Sequence, residues 1–380
     1  MVVKKTGKVL ICPLDWGIGH ATRCIPVIRA LQDSGYHIIA AASGRSLQFL
    51  KKECPEISVV EFPGTRVNYP ENNRLTLRMF RLAPVFLAGI WKEHRTIKKL
   101  VSKFNPDLII SDNRYGCWHR GITSVFMTHQ LDIQVPRGIR FLKRPLNLIN
   151  HWFIRKYDEC WIPDFEPHKG LAGILSHPVK LPSNARYIGI LSRFSAYPEL
   201  LREMDESVID LVVMLSGPEP QRTILEKKIL GFLDNIKLRV ILIQGITEKE
   251  ESQVVNERIH IFSHLETEKM ARVIQRTSMI ICRSGYSSIM DIVTLGKRAV
   301  FIPTPGQTEQ EYLARYLLEK KIFFSMNQND FDLVYALEMS VNFPGMIIRN
   351  DYTLLHERIA ELSAGRFSPR HINKEDTGND

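Results

Sequence analysis

The sequence has few cysteines, and none of them are spaced as a metal site or a disulfide framework requires. Its 380 residues include six cysteines. No two of them form a CxxC pair, the spacing that many zinc sites use. Cys12 and Cys282 lie in short apolar runs, where a thiol behaves as a small hydrophobic side chain. We therefore expect a chain in a reducing compartment that is stabilised by its apolar core.

Long hydrophobic runs are also missing. No stretch approaches 18 uninterrupted apolar residues, so the sequence predicts no membrane-spanning helix. The N-terminal segment MVVKKTGKVLIC is basic, but its apolar run ends after about four residues, too few for the h-region of a signal peptide. We expect a cytoplasmic protein that is soluble or bound peripherally to the inner face of the membrane.

The charge of the chain is unevenly distributed. The formal net charge is +10, and the excess of Lys and Arg lies in the first 195 residues, whereas the remainder is mildly acidic. Two stretches of the first half, Arg74–Lys99 and Arg137–Lys156, mix bases with aromatic residues as interfacial helices do. Amphipathic helices that cover a sheet explain the same pattern. No motif of an RNA-binding module occurs, so an anionic membrane surface or acceptor is favoured over nucleic acid.

Apolar, β-branched runs alternate with amphipathic stretches along the chain. One series begins with the predicted strand Lys8–Pro13 and a second with Asp210–Leu215. Such alternation is typical of βαβ units and parallel sheets. We predict an α/β protein with two doubly wound, Rossmann-like domains that face each other across a ligand-binding cleft. The predicted divisions are an acceptor-binding first domain over 1–190, a linker over 191–207, a donor-binding second domain over 208–365 and a disordered tail over 366–380.

The segment after the first strand combines two glycines with a histidine. Gly17 and Gly19 would let the chain turn sharply and present backbone N–H groups to an anion at the start of the next helix. Thr22 occupies the place of the third glycine of a GxGxxG fingerprint, which disfavours NAD binding. His20 is a candidate proton acceptor at the mouth of the cleft, although a tight turn with an incidental histidine explains the same residues.

A longer motif begins at Cys282, after a predicted strand, and reads CRSGYSSIMD. Its Gly and Ser residues open a helix, and a helix N-terminus with hydroxyl groups suits a diphosphate. Asp291, farther along that helix, could accept hydrogen bonds from ribose hydroxyls. Polar residues of the next loop, over 304–312, could recognise a sugar.

Residues 278–317 resemble the donor site of family 28 glycosyltransferases, the MurG-like enzymes that add N-acetylglucosamine to a lipid-linked diphosphate. The resemblance implies the GT-B architecture and sugar transfer from a nucleotide sugar, with a UDP-sugar as the expected donor. It also implies that the Arg-Ser-Gly triplet approaches the diphosphate: Arg283, Ser284 and Gly285. Asp291 takes the ribose-binding position, where the family usually has Glu.

The resemblance assigns further donor contacts in the second half. Gln310 matches the sugar-reading pair of the family, and Glu311 stands where a second amide is common, which leaves the sugar undetermined. Leu265 occupies the position whose backbone recognises uracil. Ser216 and Gly217 correspond to the loop beneath the phosphates.

On the acceptor side, Gly19 and His20 match the end of the family's glycine-rich loop, which also contains Gly17 here. Asp112 follows a later strand and is a candidate to orient His20, or an ordinary turn aspartate. His129 is a candidate to line the cleft, or a structural histidine.

We therefore expect inverting sugar transfer, without a metal ion or cofactor, to an anionic or lipid-linked acceptor whose identity the sequence does not specify. The only DxD tripeptide, at 330–332, lies outside the donor motif and is interpreted as surface. His20 would deprotonate the acceptor hydroxyl. Two alternatives retain the donor motif: a nucleotide-sugar hydrolase that uses water as acceptor, and a non-catalytic nucleotide-sugar-binding protein.

Overall fold

The computed structural model describes residues 7–64, 75–167, 170–197, 209–233, 236–248, 251–349 and 352–364. These residues form two seven-stranded sheets, one on each side of residue 200. We refer to the described residues up to 197 as the first half and to those from 209 to 349 as the second half. The tail expected over 366–380 and most of the linker expected over 191–207, from 198 onward, lie outside the described residues.

The strands of the first sheet are Lys8–Pro13 (β1), His37–Ala42 (β2), Ser58–Glu61 (β3), Leu108–Asp112 (β4), Thr123–Met127 (β5), Glu159–Ile162 (β6) and Ala185–Tyr187 (β7). They are parallel and run in the order β3-β2-β1-β4-β5-β6-β7. The order reverses between β1 and β4, which are neighbours in the sheet. The loops that follow these two strands therefore meet at the carboxyl edge, where open α/β sheets bind ligands.

The helices of the first half are Ile18–Asp33 (α1), Gly44–Glu53 (α2), Leu75–Phe104 (α3) and Lys143–Ile154 (α4). β1 is buried from its second residue onward, since its continuous run of apolar side chains lies between helices on both faces of the sheet. α3 contains the first basic, aromatic stretch from Leu75 onward. The second stretch begins with a 3-10 helix, Arg137–Leu142, and continues into α4.

The strands of the second sheet are Ile209–Met214 (β8), Val240–Ile243 (β9), Ser252–Asn256 (β10), Ile259–Phe262 (β11), Thr277–Cys282 (β12), Ala299–Phe301 (β13) and Phe324–Ser325 (β14). Their order is β10-β11-β9-β8-β12-β13-β14, and only β10 runs antiparallel to its neighbour. The order reverses between β8 and β12. The loops after β8 and β12 consequently meet, as those after β1 and β4 do in the first sheet.

The helices of the second half are Gln221–Leu233 (α5), Thr267–Gln275 (α6), Tyr286–Leu295 (α7), Thr308–Glu319 (α8) and Leu333–Ser340 (α9). α7 begins directly after Gly285 and ends at Gly296, which adopts a left-handed conformation with φ of 63°. Buried side chains cover nearly the whole of α7, because it packs between the second sheet and the first half.

A final helix, Thr353–Ser363 (α10), returns to the first half. Its Ser363 hydroxyl is 2.8 Å from the Tyr36 hydroxyl, and its Arg358 pairs with the buried carboxylate of Glu159 in β6. Leu355 and Ile359 are buried in a core cluster that also contains residues of α1 and α7. Residues 353–363, which lie within the predicted second domain, therefore contact the first half.

Candidate active site

The loop between β1 and α1 lies against the second half. Gly17 precedes α1 with φ of 133°, a conformation that favours glycine. A Cβ atom on Gly19 would lie 3.1 Å from Oγ of Ser287 in α7. That hydroxyl donates a 2.8 Å hydrogen bond to the carbonyl oxygen of Gly19. The predicted acceptor-side loop thus touches the first turn of α7, directly after the predicted diphosphate loop.

His20 and Asp112 come together at the reversal point of the first sheet. His20 lies in the first turn of α1, Asp112 ends β4, and Nδ1 of His20 is 3.2 Å from Oδ2 of Asp112. Burial lowers the pKa of His20 below its ordinary value, and the Asp112 charge opposes this only in part. Burial alone would raise the pKa of Asp112, but the charges of Arg23 and His20 lower it to about 2. Near pH 7 the pair is therefore a neutral imidazole beside a carboxylate, which suits a general base.

Arg23 is a further member of this cluster that sequence reasoning missed. Its buried guanidinium donates from Nε to Oδ2 of Asp112 at 2.9 Å and from an Nη atom to Oδ1, which makes a two-point contact. A charged residue one turn after His20 resembles an ordinary helix-surface arginine. The signal that could have found it is its position in an otherwise apolar stretch, ATRCIPVI, because a base there has no solvent to face.

His129 links this cluster to the second half. Nδ1 of His129 is 3.1 Å from an Nη atom of Arg23, and its Nε2 is 2.7 Å from Oε1 of Glu309 in α8. Its ring stacks on that of Tyr286 at 4.3 Å between centroids. The amide of Gln130 donates to the other oxygen of Glu309. The structure therefore brings together His20, Asp112 and His129 of the predicted site, and adds Arg23 and Glu309.

A second buried ion pair fixes the loop after β4. Arg114 donates to Oε1 of Glu93 in α3 at 2.8 Å and to the carbonyl oxygen of Pro13 at the end of β1. The backbone N–H of Gly116 donates to the other oxygen of Glu93. These contacts tie α3 to the carboxyl ends of β1 and β4, so the acceptor-side loops are held as one unit.

In the second half, the loops after β8, β12 and β13 lie side by side. Gly217 has φ of 98°, and a Cβ atom there would lie 3.3 Å from Oγ1 of Thr304. Among the residues that the structure describes, this buried Thr304 hydroxyl has no hydrogen-bond partner. Ser216 is partly exposed beside it, and Ser284 donates through Oγ to the carbonyl oxygen of Gln310 at 2.8 Å. The loops thus converge near the start of α7.

The Arg283 side chain does not point into the cleft. It is buried, and its Nη atoms lie within hydrogen-bond distance of the carbonyl oxygens of Gln221, Ile302 and Pro303 and of Oε1 of Gln328. A guanidinium that donates to four acceptors inside the second half has its Nη atoms committed to holding loops. The Arg283 side chain therefore does not face the first half. The part of the expected triplet that does so is the backbone around Ser284 and Gly285, at the N-terminus of α7.

Asp291 is buried on α7 and faces the start of the linker. It accepts a 2.6 Å hydrogen bond from Oγ of Ser192, and its other oxygen is 3.8 Å from Nε of Arg193. Burial raises the pKa of Asp291 to about 6, and Arg193 opposes the rise only partly. Leu265, at the position expected to recognise uracil, is also buried. It belongs to a core cluster that contains residues of α7.

The predicted sugar-reading pair organises the loop after β13. Oε1 of Gln310 accepts from the backbone N–H of Thr304 at 2.8 Å, and Oε1 of Glu311 accepts from that of Gly306 at 2.9 Å. Both residues lie in the first turn of α8, where negative charge is favourable. Two side chains of that turn reach the first half: Glu309, and Thr308, whose Oγ1 donates to the carbonyl oxygen of Gln134 at 2.9 Å.

The DxD tripeptide has a local structural role. Oδ1 of Asp332 accepts from the backbone N–H of Tyr335 and so caps α9, and Phe331 is buried. Within the described ranges, no group of three or more histidine, cysteine or acidic side chains is arranged to hold a metal ion. All six cysteines are buried with free thiols.

Comparison with known proteins connects this arrangement to a family. Residues 220–342 match the glycosyltransferase family 28 C-terminal domain, and residues 8–152 match a glycosyl transferase family 1 domain. The second half thus contains a family 28 C-terminal domain, and the chain as a whole is similar to the MurG-like glycosyltransferases. It is therefore a glycosyltransferase, as the donor motif predicted.

Several glycosyltransferases are similar over nearly their whole length. One is a UDP-N-acetylglucosamine–N-acetylmuramyl-(pentapeptide) pyrophosphoryl-undecaprenol N-acetylglucosamine transferase of Haemophilus influenzae (strain 86-028NP), 22% identical over 94% of this chain and 93% of that protein. An uncharacterized glycosyltransferase of Methanosarcina acetivorans is 23% identical over 82% of this chain and 84% of its own length.

Solved structures share the fold. Acinetobacter baumannii MurG superposes with a TM-score of 0.54 at 14% identity, covering 94% of this chain and 99% of its own. Arabidopsis thaliana UGT89C1 superposes with a TM-score of 0.62 at 13% identity, covering 94% and 100%. The predicted GT-B fold is confirmed. None of the helices that the structure describes combines the length and apolar character that a membrane span requires.

Proposed function

We propose that this enzyme transfers a sugar from a UDP-sugar to a hydroxyl group of a lipid-linked acceptor at an anionic membrane surface. One observation carries the proposal: the neutral imidazole of His20, paired with Asp112, lies in the loop that touches the start of α7. A general base and a helix N-terminus suited to a diphosphate thus lie on opposite sides of one cleft.

The donor is proposed to bind the second half. The backbone N–H groups at the N-terminus of α7, after Ser284 and Gly285, suit the diphosphate, as does the loop of Ser216 and Gly217. The unpartnered hydroxyl of Thr304 beside Gly217 could donate to a phosphate oxygen. The uridine assignment is supported by the Haemophilus relative, whose name specifies a UDP-N-acetylglucosamine donor.

The proposed reaction is a single in-line displacement. Nε2 of His20 accepts the proton of the acceptor hydroxyl while that oxygen forms a bond to the anomeric carbon. The bond from this carbon to the diphosphate breaks, and UDP leaves with the electron pair. Attack from the face opposite to the leaving group inverts the anomeric configuration.

We propose that stabilisation of the leaving diphosphate does not depend on a metal ion. The N-terminus of α7 and the neighbouring hydroxyls supply a fixed positive potential for the charge that develops on the leaving oxygen. The Arg283 guanidinium contributes by holding the loops that carry these groups, since its Nη atoms donate to Gln221, Ile302, Pro303 and Gln328.

A lipid-linked acceptor is supported by the surface around α3 and α4. Large apolar side chains are exposed there: Val85, Leu87, Trp91, Phe141, Leu148, Ile149 and Trp152. Lys92 and Arg144 are exposed on the same two helices, and the Lys156 ammonium lies 3.8 Å from the centroid of the Trp152 ring. Exposed aromatics among bases are typical of a surface that enters an anionic membrane interface.

This surface adjoins the acceptor-side loop. Trp16, four residues before His20, lies 6.4 Å from Phe86 of α3 between ring centroids. Phe86 in turn contacts Tyr115, and Tyr115 contacts Phe153 of α4. An acceptor anchored in the membrane beside α3 and α4 would therefore present its head group near His20.

The proposal is tested with a panel of nucleotide sugars. The protein is titrated with UDP-, GDP- and ADP-sugars while its melting temperature is recorded, and UDP release is measured with and without a membrane lipid extract. We expect UDP-sugars alone to raise the melting temperature, and lipid extract to increase UDP release. Equal release with and without lipid would favour the hydrolase. Binding without any release would favour a non-catalytic protein, and equal shifts for all nucleotides would contradict the uridine assignment.

A further inference from the structure

Asp291 takes the position at which the family resemblance implies ribose binding, but its carboxylate contacts the start of the linker, residues 191–197. We propose that Asp291 is a positioning residue: it fastens the start of the linker to α7 and takes no part in binding the ribose of the donor. The inference rests on the proposed function for the identity of the donor.

Asp291 belongs to a row of side chains on one face of α7. Ser287, Met290 and Asp291 are three and four residues apart, a spacing that places them on the same side of a helix. Ser287 binds the loop between β1 and α1. One turn later, the backbone N–H of Leu191 donates to Sδ of Met290 at 3.3 Å, and Oγ of Ser192 donates to Asp291. This face of α7 therefore contacts the first half at its beginning and the linker farther along.

The Asp291 carboxylate is occupied by groups of the linker. Its Oδ1 accepts from Oγ of Ser192 at 2.6 Å, and the backbone N–H of Arg193 also donates to the carboxylate. Nε of Arg193 lies 3.8 Å from Oδ2. The residue is only 7% exposed. A ribose hydroxyl that bound Asp291 would have to displace these donors and leave them buried without an acceptor, which is unfavourable.

Ser192 is itself held by the segment around it. Its Oγ accepts from the backbone N–H of Phe194 at 3.3 Å and so caps a 3-10 helix, Arg193–Ala196. The Tyr352 hydroxyl, next to the start of α10, accepts from the backbone N–H of Ser192 at 3.3 Å and donates to its carbonyl oxygen at 2.7 Å. The contact with Asp291 thus joins α7 to a segment that is also tied to the final helix.

The neighbouring Arg193 side chain lies between elements of the two halves. Its guanidinium carbon is 5.8 Å from the centroid of the Phe49 ring in α2. Its Nη atoms lie 3.5 Å from Oγ1 of Thr267 and 2.9 Å from Sδ of Met270, both in α6. A shift of the linker start would therefore change how the halves meet. It would also change the position of His20 relative to the N-terminus of α7, on which the proposed transfer depends.

Nucleotides without ribose hydroxyls test whether Asp291 binds the ribose. The dissociation constants of UDP and of 2′,3′-dideoxyuridine diphosphate are measured by calorimetry for the wild type and for Asp291→Asn. We expect the ratio of the two constants to agree within about twofold between the proteins, because the substituted residue does not face the ribose. Asp330→Asn, at an exposed aspartate of the second half, is the control. A preference for UDP in the wild type that disappears only in Asp291→Asn would overturn the proposal.

Asp291→Glu separates the two roles, since it introduces the residue that the family usually has. A ribose-binding role predicts that this variant retains or improves UDP affinity and turnover. We expect instead that the added methylene group displaces the linker start from a packed site. With UDP-N-acetylglucosamine and a membrane lipid extract as probes, kcat should fall by roughly tenfold, while the KM for the sugar nucleotide changes by less than about threefold. Full turnover with tighter UDP binding would contradict the proposal.

Ser192 provides a test that does not depend on the nucleotide. The decreases in melting temperature caused by Ser192→Ala and Asp291→Ala should be clearly less than additive in the double variant, because both substitutions remove one shared contact. Additive decreases would contradict the fastening. Ser192→Ala should also lower kcat without raising the KM for the sugar nucleotide. A wild type that neither binds UDP nor turns over would count against the proposed function, while the melting temperatures would still decide whether Asp291 holds the linker.

Discussion

The two sides of the cleft are built from different kinds of interaction. On the acceptor side, four charged or titratable side chains contact one another in the interior: His20, Arg23, Asp112 and His129. On the donor side, the polar side chains mostly bind backbone groups, as Gln310 does with the Thr304 N–H. The first arrangement sets protonation states, and the second fixes the shape of loops. The proposed function accordingly assigns the chemistry to the first half and the geometry of the donor to the second.

The two halves also differ in the net charge and in the exposed aromatic residues of their surfaces. The first 195 residues carry the positive excess of the chain and the exposed aromatic residues of α3 and α4, whereas the remainder has a small negative charge. A basic, apolar surface suits an acceptor embedded in an anionic interface. A soluble, anionic sugar nucleotide needs only a local site, which a helix N-terminus provides without net charge.

The largest effect is expected from His20→Ala. Because His20 lies on the acceptor side, its loss should reduce turnover by about 10²–10⁴-fold, the range typical of a general base. The affinity for UDP, measured by calorimetry, should stay within a small factor of the wild-type value. A parallel loss of UDP affinity and turnover would show that the loop supports the closed cleft as a whole, and full turnover in the variant would exclude His20 as the base.

Arg283→Met distinguishes a loop-holding arginine from one that binds phosphate. The substitution leaves buried carbonyl oxygens and Gln328 without their donor, so the free energy of unfolding should fall by about 2–4 kcal/mol. Chemical denaturation of both proteins measures this difference. Unchanged stability together with a strong loss of UDP affinity would mean that the guanidinium binds the diphosphate, as the family resemblance implies.

Much of the fold follows from sequence patterns, and the exceptions have physical causes. The predicted strand Lys8–Pro13 coincides with β1, and the predicted strand Asp210–Leu215 lies within one residue of β8 at each end. β7 and β14 have three and two residues, too short for any periodicity to be detectable. The exposed β10 has no buried face to produce a pattern. The predicted second domain, 208–365, includes residues 353–363, because sequence order carries no information about a return to the first half.

Some contacts of the candidate site could likewise be predicted from the sequence, and others could not. The approach of His20 to Asp112 could be predicted, because His20 follows β1 and Asp112 ends β4, and these strands lie next to each other at the reversal point of the sheet. The direction of the Arg283 side chain could not, since a motif fixes residue types and leaves rotamers open. Arg23 and Glu309 were missed because their role depends on contacts between distant parts of the chain, 106 and 180 residues from His129.

Membrane binding should require the surface of the first half and not that of the second. It should also depend on the salt concentration. We expect sedimentation with vesicles to require anionic lipid and to weaken as ionic strength rises, because exposed charges are screened within about 8–10 Å near physiological salt. Trp152→Ala should reduce binding several-fold, by roughly 1 kcal/mol or more of lost apolar contact. Val254→Ala, at an apolar residue of the second half that is 65% exposed against 55% for Trp152, serves as the control. Binding that is indifferent to lipid charge would remove the membrane role of the basic surface.

The smallest expected effect concerns Asp291. Its pKa of about 6 in the folded protein exceeds the ordinary value of 3.8, so the folded state binds this proton more tightly than the unfolded state. The resulting stabilisation is present below about pH 4 and is lost as pH rises through 6. The melting temperature of Asp291→Asn relative to the wild type should therefore rise by about 2–5 °C between pH 4.5 and 7.5. A constant offset across this range would contradict the assignment.

The central claim is that the donor nucleotide is held by the second half while the first half supplies the base. Hydrogen–deuterium exchange with and without saturating UDP tests it most directly, because amide protection maps where the nucleotide orders the chain. We predict slower exchange in the segments after β8, β12 and β13, around residues 216–217, 284–288 and 304–311. Protection confined to the loops after β1 and β4, with these segments unchanged, would contradict the account.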